Sequence, residues 1–426
     1  MDHFHYRSGV LHCESVDLRQ VAAEFGTPTY VYSAHTLLDH YDRISAAFAP
    51  LDATICFSVK SCQNLAILRL LRERGAAFDI VSGGELQRVM EAGGDASRAV
   101  FAGVGKTDEE IRAAVRARVG WFNVESEQEL ANITELAEKQ GATARVAVRV
   151  NPDVDPVTHQ YTTTGTRETK FGVGIESVRR LFADFRGRRG LDLAGLHFHL
   201  GSPVYSVEPY VLALKKVLGI ADELRADGHG IRAINIGGGF GAHYQAGEAL
   251  PASAYAERIV PLLRGSGLEV ILEPGRSVAA NAGVLLTRTI YNKAGSDRRF
   301  VIVDAGITEL IRPALYGSYH FVWPVEPADG LVPEHRGADL RLEDTVLTDV
   351  VGPICESGDF LARDRWLPPV SRGELLCVFA AGAYGFTMSS QYNSRPRAAE
   401  VLVNGGLARA IRRRETYDDL VRAERS

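Results

Sequence analysis

Between about residue 36 and residue 276 the chain alternates short apolar runs with amphipathic segments, and this alternation restricts its fold more than any other feature. The runs TICFSV, FDIV, AVFAGV, WFNV, RVAVRV, LAGLHF, INIGG and EVILE read as strands. Segments between them, such as LAILRLLRERG, GELQRVMEAGG and DEEIRAAVRARV, carry apolar residues at helical spacing. Eight such units in about 240 residues have the pattern and size of a (β/α)8 TIM barrel, with a doubly wound sheet as the alternative. After Arg276 the texture changes. GVLLTRTIYNKA, RRFVIVDAG, DTVLTDVVGPI, ELLCVFAAGAY and AAEVLVNGG are β-runs broken by Gly, Pro and Asp, so a second, mostly antiparallel β-domain is expected. The expected division is a barrel over 33–278 and a β-domain over 279–426 that also takes the extended N-terminal residues 1–32.

At 426 residues the chain exceeds one ordinary core, in keeping with two domains. Its 46% hydrophobic and 24% charged residues are those of a soluble globular protein, and a net charge of −5 offers no basic field for a phosphodiester backbone. Small molecules, not nucleic acid, are the expected partners. The N-terminal MDHFHYRSG has charges and histidines where a signal peptide needs a continuous apolar segment. No later run approaches a membrane span, so no membrane association and a cytoplasmic location are expected. Cys13, Cys56, Cys62, Cys355 and Cys377 include no C-x-x-C pair and fit reduced thiols better than a disulfide or zinc framework; no metal site is expected.

In a barrel of this kind the chemistry sits at the carboxyl ends of the strands. The residues closing the apolar runs are Lys60 after TICFSV, Asp79 and Ser82 in FDIVS, and His197 and His199 in GLHFHLGS. Gly237, Gly238 and Gly239 follow INI, and Glu273 and Arg276 follow EVIL. Each alone has an ordinary structural explanation: strand-end lysines are commonly solvated or snorkel, lone histidines sit satisfied in cores, and Gly-Gly-Gly makes turns. Their placement at one rim points to a phosphorylated aldehyde cofactor. A lysine in a partly apolar pocket can lose its proton and condense with an aldehyde. Glycines at a strand-to-helix turn let backbone N–H groups approach a phosphate, to which Ser202 and Arg276 add a hydroxyl and a positive charge. An acidic residue such as Glu273 keeps a pyridine nitrogen protonated, and an imidazole covers one face of the ring. Pyridoxal 5′-phosphate meets every requirement.

The segments FSVKSCQN, GLHFHLGS, INIGGGFG and EPGR also resemble the motifs of the fold type III pyridoxal-phosphate decarboxylases, which pair an alanine-racemase-like (β/α)8 barrel with a C-terminal β-domain. The resemblance covers nearly the whole chain. KFGVG, IRPALYGSYH, GPICESGD and GAYGFTMSSQYNSRPRAAEV are most similar to the branch that converts meso-2,6-diaminopimelate to L-lysine and carbon dioxide. The resemblance implies that Lys60 anchors the cofactor covalently with Asp79 beside it, that His199 stacks on the ring, and that Glu273 binds the pyridine nitrogen. It implies a phosphate site of Ser202, Gly237, Gly238, Gly239, Gly275 and Arg276, joined by Tyr384. Arg276, Arg312, Tyr316 and Tyr384 would bind substrate carboxylates or neighbouring groups, Glu356 the distal amine, and Cys355 would return a proton to the substrate carbon. In this family the last two residues reach the site of the other subunit, so a homodimer with shared active sites is implied. His197 receives no role, and Arg395 and Arg397 read as structural or interface residues.

A residue-level argument for the substrate stands beside the resemblance. Arg312 and Tyr316 offer a charge-assisted partner to a carboxylate at the far end of the substrate, which ornithine, lysine and arginine lack. A decarboxylase of those amino acids, of a carboxylated polyamine or of a carrier-linked amino acid is the alternative. Racemisation ranks lower because Cys355 would replace the usual tyrosine base, and an inactive regulator because Lys60 and Cys355 are both retained. Departures from the family pattern at Phe57, Ser58, Ser61, Cys62 and Pro203 touch the pocket wall and leave the substrate less constrained than the reaction.

Overall fold

The computed structural model describes residues 2–155, 170–245, 247 and 249–425. The chain forms two compact units, one of Met1–Asp39, Ala242–Glu248 and Val278–Ser426 and the other of His40–Gly241 and Ala249–Ser277.

The unit of His40–Gly241 and Ala249–Ser277 is a closed parallel barrel, not a doubly wound sheet. Its strands are Thr54–Ser58, Ala77–Ile80, Val100–Phe101, Trp121–Val124, Ala144–Asn151, Leu191–His197, Ala233–Asn235 and Glu269–Leu272. Each pairs in parallel with the next, and the eighth returns to the first with Ile271 opposite Thr54 and Leu272 opposite Ile55. All eight apolar runs are therefore strands. Asn64, Ser82, Thr107 and Ser126 each accept a backbone N–H at the start of the helices Leu65–Glu73, Gly83–Glu91, Asp108–Arg116 and Glu127–Lys139. Each cap satisfies a donor that the helix leaves unpaired, and losing one costs about 1 kcal/mol. Ser82 thus has a structural task.

The barrel interior is built in layers. Cys56, Ala77, Val100, Trp121, Ala147, Ala194, Ala233 and Ile271, one from each strand, form an apolar layer. Trp121 fills space left by the alanines: a Cβ built on Gly195 would lie 3.0 Å from its ring. Because strand side chains alternate between faces, the residue two places further along points inward again. On six strands that residue is Ser58, Asp79, Asn123, Arg149, Asn235 or Glu273. On the sixth strand in chain order a bulge between Leu193 and Gly195 inserts one residue and brings His197 opposite both Arg149 and Asn235. All seven are buried, so a polar ring lies on the carboxyl side of the apolar layer.

The other unit is mostly antiparallel. Its longest strand, Gly283–Ala294, pairs antiparallel with Thr29–Ser33, Leu375–Val378 and Arg299–Val303. Val346–Val351 runs parallel to Arg299–Val303 and antiparallel to Phe360–Leu367, while Ala399–Asn404 runs parallel to Thr29–Ser33 and antiparallel to Leu407–Arg412. Residues 4–17 form a separate three-stranded sheet. All five cysteines are free thiols; four are buried and Cys355 is exposed. Among the described residues no helix is long and apolar enough to cross a membrane.

Candidate active site

The first barrel strand ends at Ser58, and Lys60 follows on the short turn Val59–Ser61. Lys60 Nζ donates to Asp79 Oδ2 at 2.6 Å; the lysine side chain is 38% exposed, whereas Asp79 is fully buried. Ser58 donates its hydroxyl to the same oxygen, and Asp79 Oδ1 has no hydrogen-bond partner among the described residues. Burial pushes the Asp79 carboxyl above its ordinary value, opposed by the Lys60 charge and assisted by Glu273. The unusual Ser58 is therefore part of the site: it shares the oxygen that receives the lysine.

Glu273 follows the eighth strand. Its Oε1 accepts from Asn123 Nδ2 at 3.0 Å and from Asn235 Nδ2 at 2.6 Å, and its Oε2 lies 3.5 Å from His197 Nε2. Burial works against the charged form, but His197, Lys60 and His199 outweigh it and hold Glu273 well below the usual carboxylate range. The two buried carboxyls are thus driven apart, Asp79 upward and Glu273 downward, a separation that assigns different roles to like groups. Glu273 is the anion, and two amides that cannot titrate set its orientation.

The glycine turn is tied to this carboxylate. Asn235 Oδ1 accepts from Gly237 N at 2.9 Å, and Gly238 N donates to His199 Nδ1 at 3.2 Å. Since Nδ1 accepts, that bond requires a neutral His199 with its proton on Nε2. Burial, aided by the charges of Arg149 and Lys60, holds its pKa well below the ordinary histidine value. A Cβ on Gly238 would lie 2.0 Å from the Glu273 backbone oxygen, so no side chain fits there. Gly239 has φ +102°, a conformation that L side chains rarely adopt. Arg276, buried, donates from Nε to Ser202 Oγ at 2.9 Å, and Gly275 packs against Ser58 and Ser61.

In the other unit, Arg312 opens the helix Arg312–Tyr316 and is buried, with Tyr316 half-buried at the far end. Arg312 Nη2 donates to Ser318 Oγ at 3.2 Å, and its guanidinium lies 4.7 Å from the centre of the Tyr244 ring. Tyr384 has φ +56°, uncommon outside glycine and often found where function over-determines the backbone. Cys355 and Glu356 are exposed. Their loop is anchored by the buried Asp359, which accepts from Ile354 N at 2.6 Å and Ile307 N at 2.7 Å. Arg395 reaches the Asp304 backbone oxygen and Arg397 lies near Glu415, both structural contacts.

Sequence reasoning passed over Asn123, Asn235 and Arg149. Arg149 Nη1 donates to both Glu125 carboxylate oxygens at 3.0 Å. The signal was available in WFNV, INI and RVAVRV: a polar residue two places beyond an inward apolar one, at a position otherwise packed.

Residues 35–280 match the family described as pyridoxal-dependent decarboxylase, pyridoxal binding domain. The chain is 45% identical to diaminopimelate decarboxylase of Aquifex aeolicus over 98% of its own length and 96% of the relative's. It is 46% identical to diaminopimelate decarboxylase of Pseudomonas aeruginosa, over 100% and 99% of the two chains. Among solved structures, diaminopimelate decarboxylase from Helicobacter pylori complexed with L-lysine superimposes with a TM-score of 0.89 at 37% identity, covering 96% of this chain and 99% of that one.

Proposed function

The chain belongs to the pyridoxal-dependent decarboxylase family, and from that premise we propose that it decarboxylates meso-2,6-diaminopimelate to L-lysine and carbon dioxide, the last step of lysine biosynthesis. One observation carries the chemistry: a lysine amine 2.6 Å from a buried carboxylate, in the same barrel as a second carboxylate held ionised between two amides.

Pyridoxal 5′-phosphate fits these residues. Asp79 Oδ1 is a buried acceptor awaiting a donor, the glycine turn has no room for a Cβ, and Ser202 and Arg276 bring a hydroxyl and a positive charge. When bound, the cofactor supplies an electron sink for the pair left behind as carbon dioxide departs. Lys60 would be its covalent anchor, with Asp79 accepting from the amine and directing it. Glu273, ionised, would hold a proton at the ring nitrogen. His199, neutral, offers a flat ring that adds no charge. Ser202, Gly237, Gly238, Gly239, Gly275, Arg276 and Tyr384 would hold the phosphate.

Arg312 and Tyr316, with Arg276 and Tyr384, receive substrate carboxylates, and Glu356 the distal ammonium. The Cys355 thiol donates a proton to the substrate carbon. Exposure of Cys355 and Glu356 in the single chain supports a homodimer in which they serve the partner's site. Five free thiols, four of them buried, suit the reducing cytoplasm.

The test is carbon dioxide release from meso-diaminopimelate, lysine, ornithine and arginine in parallel. Diaminopimelate is expected to be preferred by at least about a hundredfold, since the others bring no distal carboxylate to the Arg312 guanidinium. Preferential turnover of lysine or ornithine would overturn the substrate.

A further inference from the structure

Arg312 is 4% exposed and His320 is fully buried. His320 Nδ1 lies 2.9 Å from the Phe379 backbone oxygen, and its Nε2 lies 3.0 Å from Arg312 Nη1. A backbone carbonyl only accepts and a guanidinium only donates, so these contacts permit one state of the ring: Nδ1 carries the proton, Nε2 presents its lone pair, and the imidazole is neutral. The far end of this link is itself fixed, because Phe379 N donates to Phe321 O at 2.8 Å, one residue beyond His320.

Tyr244 completes the arrangement. Its ring stands edge-on to His320, with centroids 5.4 Å apart at 82°, and lies beneath the Arg312 guanidinium. Arg312 is thus oriented by an imidazole, a hydroxyl and a phenol ring, and none of these three neutralises its charge. A long, flexible side chain held in this way presents its planar fork in one fixed orientation.

We propose that His320 is the positioning residue that fixes the Arg312 guanidinium for the far carboxylate of the substrate, a role that rests on the reading of Arg312 given above. In this role it acts through Arg312 alone.

The test uses the holoenzyme of Arg312→Ala, His320→Phe, His320→Asn, His320→Gln and the double variant Arg312→Ala/His320→Phe, assayed with meso-diaminopimelate while bound cofactor is followed by absorbance. Arg312→Ala and His320→Phe are each expected to raise KM about tenfold or more with kcat changed by less than about threefold, the signature of lost uniform binding. His320→Gln, long enough to present an acceptor to the guanidinium, is expected within about threefold of the parent KM; His320→Asn, too short to reach it, is not. The double variant should be no worse than Arg312→Ala alone. If His320→Phe does not fold, the Asn and Gln pair carries the same test. Multiplying effects in the double variant, or equal KM values for Asn and Gln, overturn the role of His320. An Arg312→Ala enzyme with unchanged KM overturns the reading of Arg312, and the role of His320 with it.

Discussion

In the barrel, Asp79, Asn123, Arg149, Asn235 and Glu273 are buried and hydrogen-bonded to one another or to close neighbours, whereas Cys355 and Glu356 in the other unit are exposed on a loop. The ring side chains are therefore part of the core as well as of the site, and altering one disturbs packing and chemistry together. The loop is held through its backbone by the buried Asp359, while the Cys355 and Glu356 side chains are exposed. On the proposed reading, cofactor handling draws on fixed charges in a dry interior and proton delivery on an exposed group.

Lys60→Ala breaks the barrel side of this contrast with the largest effect. Activity should fall by at least about a thousandfold, as for other covalent groups. Borohydride should no longer fix the cofactor to the first strand–turn segment when peptides are read by mass spectrometry. A reducible adduct surviving at that site would remove Lys60 as the anchor.

Cys355→Ala probes the loop side. Thermal stability should change by no more than about 0.5 kcal/mol, since the thiol is exposed. Carbon dioxide loss should persist, slowed roughly a hundredfold, with more abortive transamination of the cofactor among the products. An unchanged product partition would count against proton donation by Cys355.

The smallest effects sharpen the comparison by showing where the units behave alike. Glu85 on the helix after Asp79 accepts from Val81 N at 2.8 Å, and burial raises its pKa to about 7. Glu309 in the other unit accepts from Gly306 N at 2.9 Å and is likewise raised to about 7 by burial. Both hold a proton more tightly folded than unfolded. The stability each contributes is complete below about pH 4 and is lost as pH rises through about 7, beyond which the slope ends. Glu85→Gln and Glu309→Gln should each flatten part of that slope and gain on the order of 1 kcal/mol at pH 8, read by urea unfolding across pH 5 to 8. A variant with the parent's slope would show that its carboxyl ionises normally in the fold.

Much of this was legible before any coordinates. The eight runs predicted the barrel because short apolar runs and helical spacing are local properties. Lys60, Asp79, Glu273 and the glycine turn could be singled out because they close apolar runs at one rim, although each alone has an ordinary structural explanation. His197 illustrates what was not legible: its place in the ring depends on the bulge at Leu193/Gly195, which no residue type announces. His320 was hidden in the same way, its ring meeting a backbone oxygen 59 residues away.

The sequence by itself determined the alternation of eight apolar runs with helices and that Lys60, Asp79, the glycine turn and Glu273 lie at the ends of those runs. Only the tertiary structure decided which of them meet. Closing the barrel brings Asn123 within 3.0 Å of Glu273 across 150 residues, and the stagger of eight strands sets Asp79 rather than another carboxylate beneath Lys60. The physical reason is that alternation is fixed by the backbone of each strand alone, while register and closure follow from packing the whole interior at once.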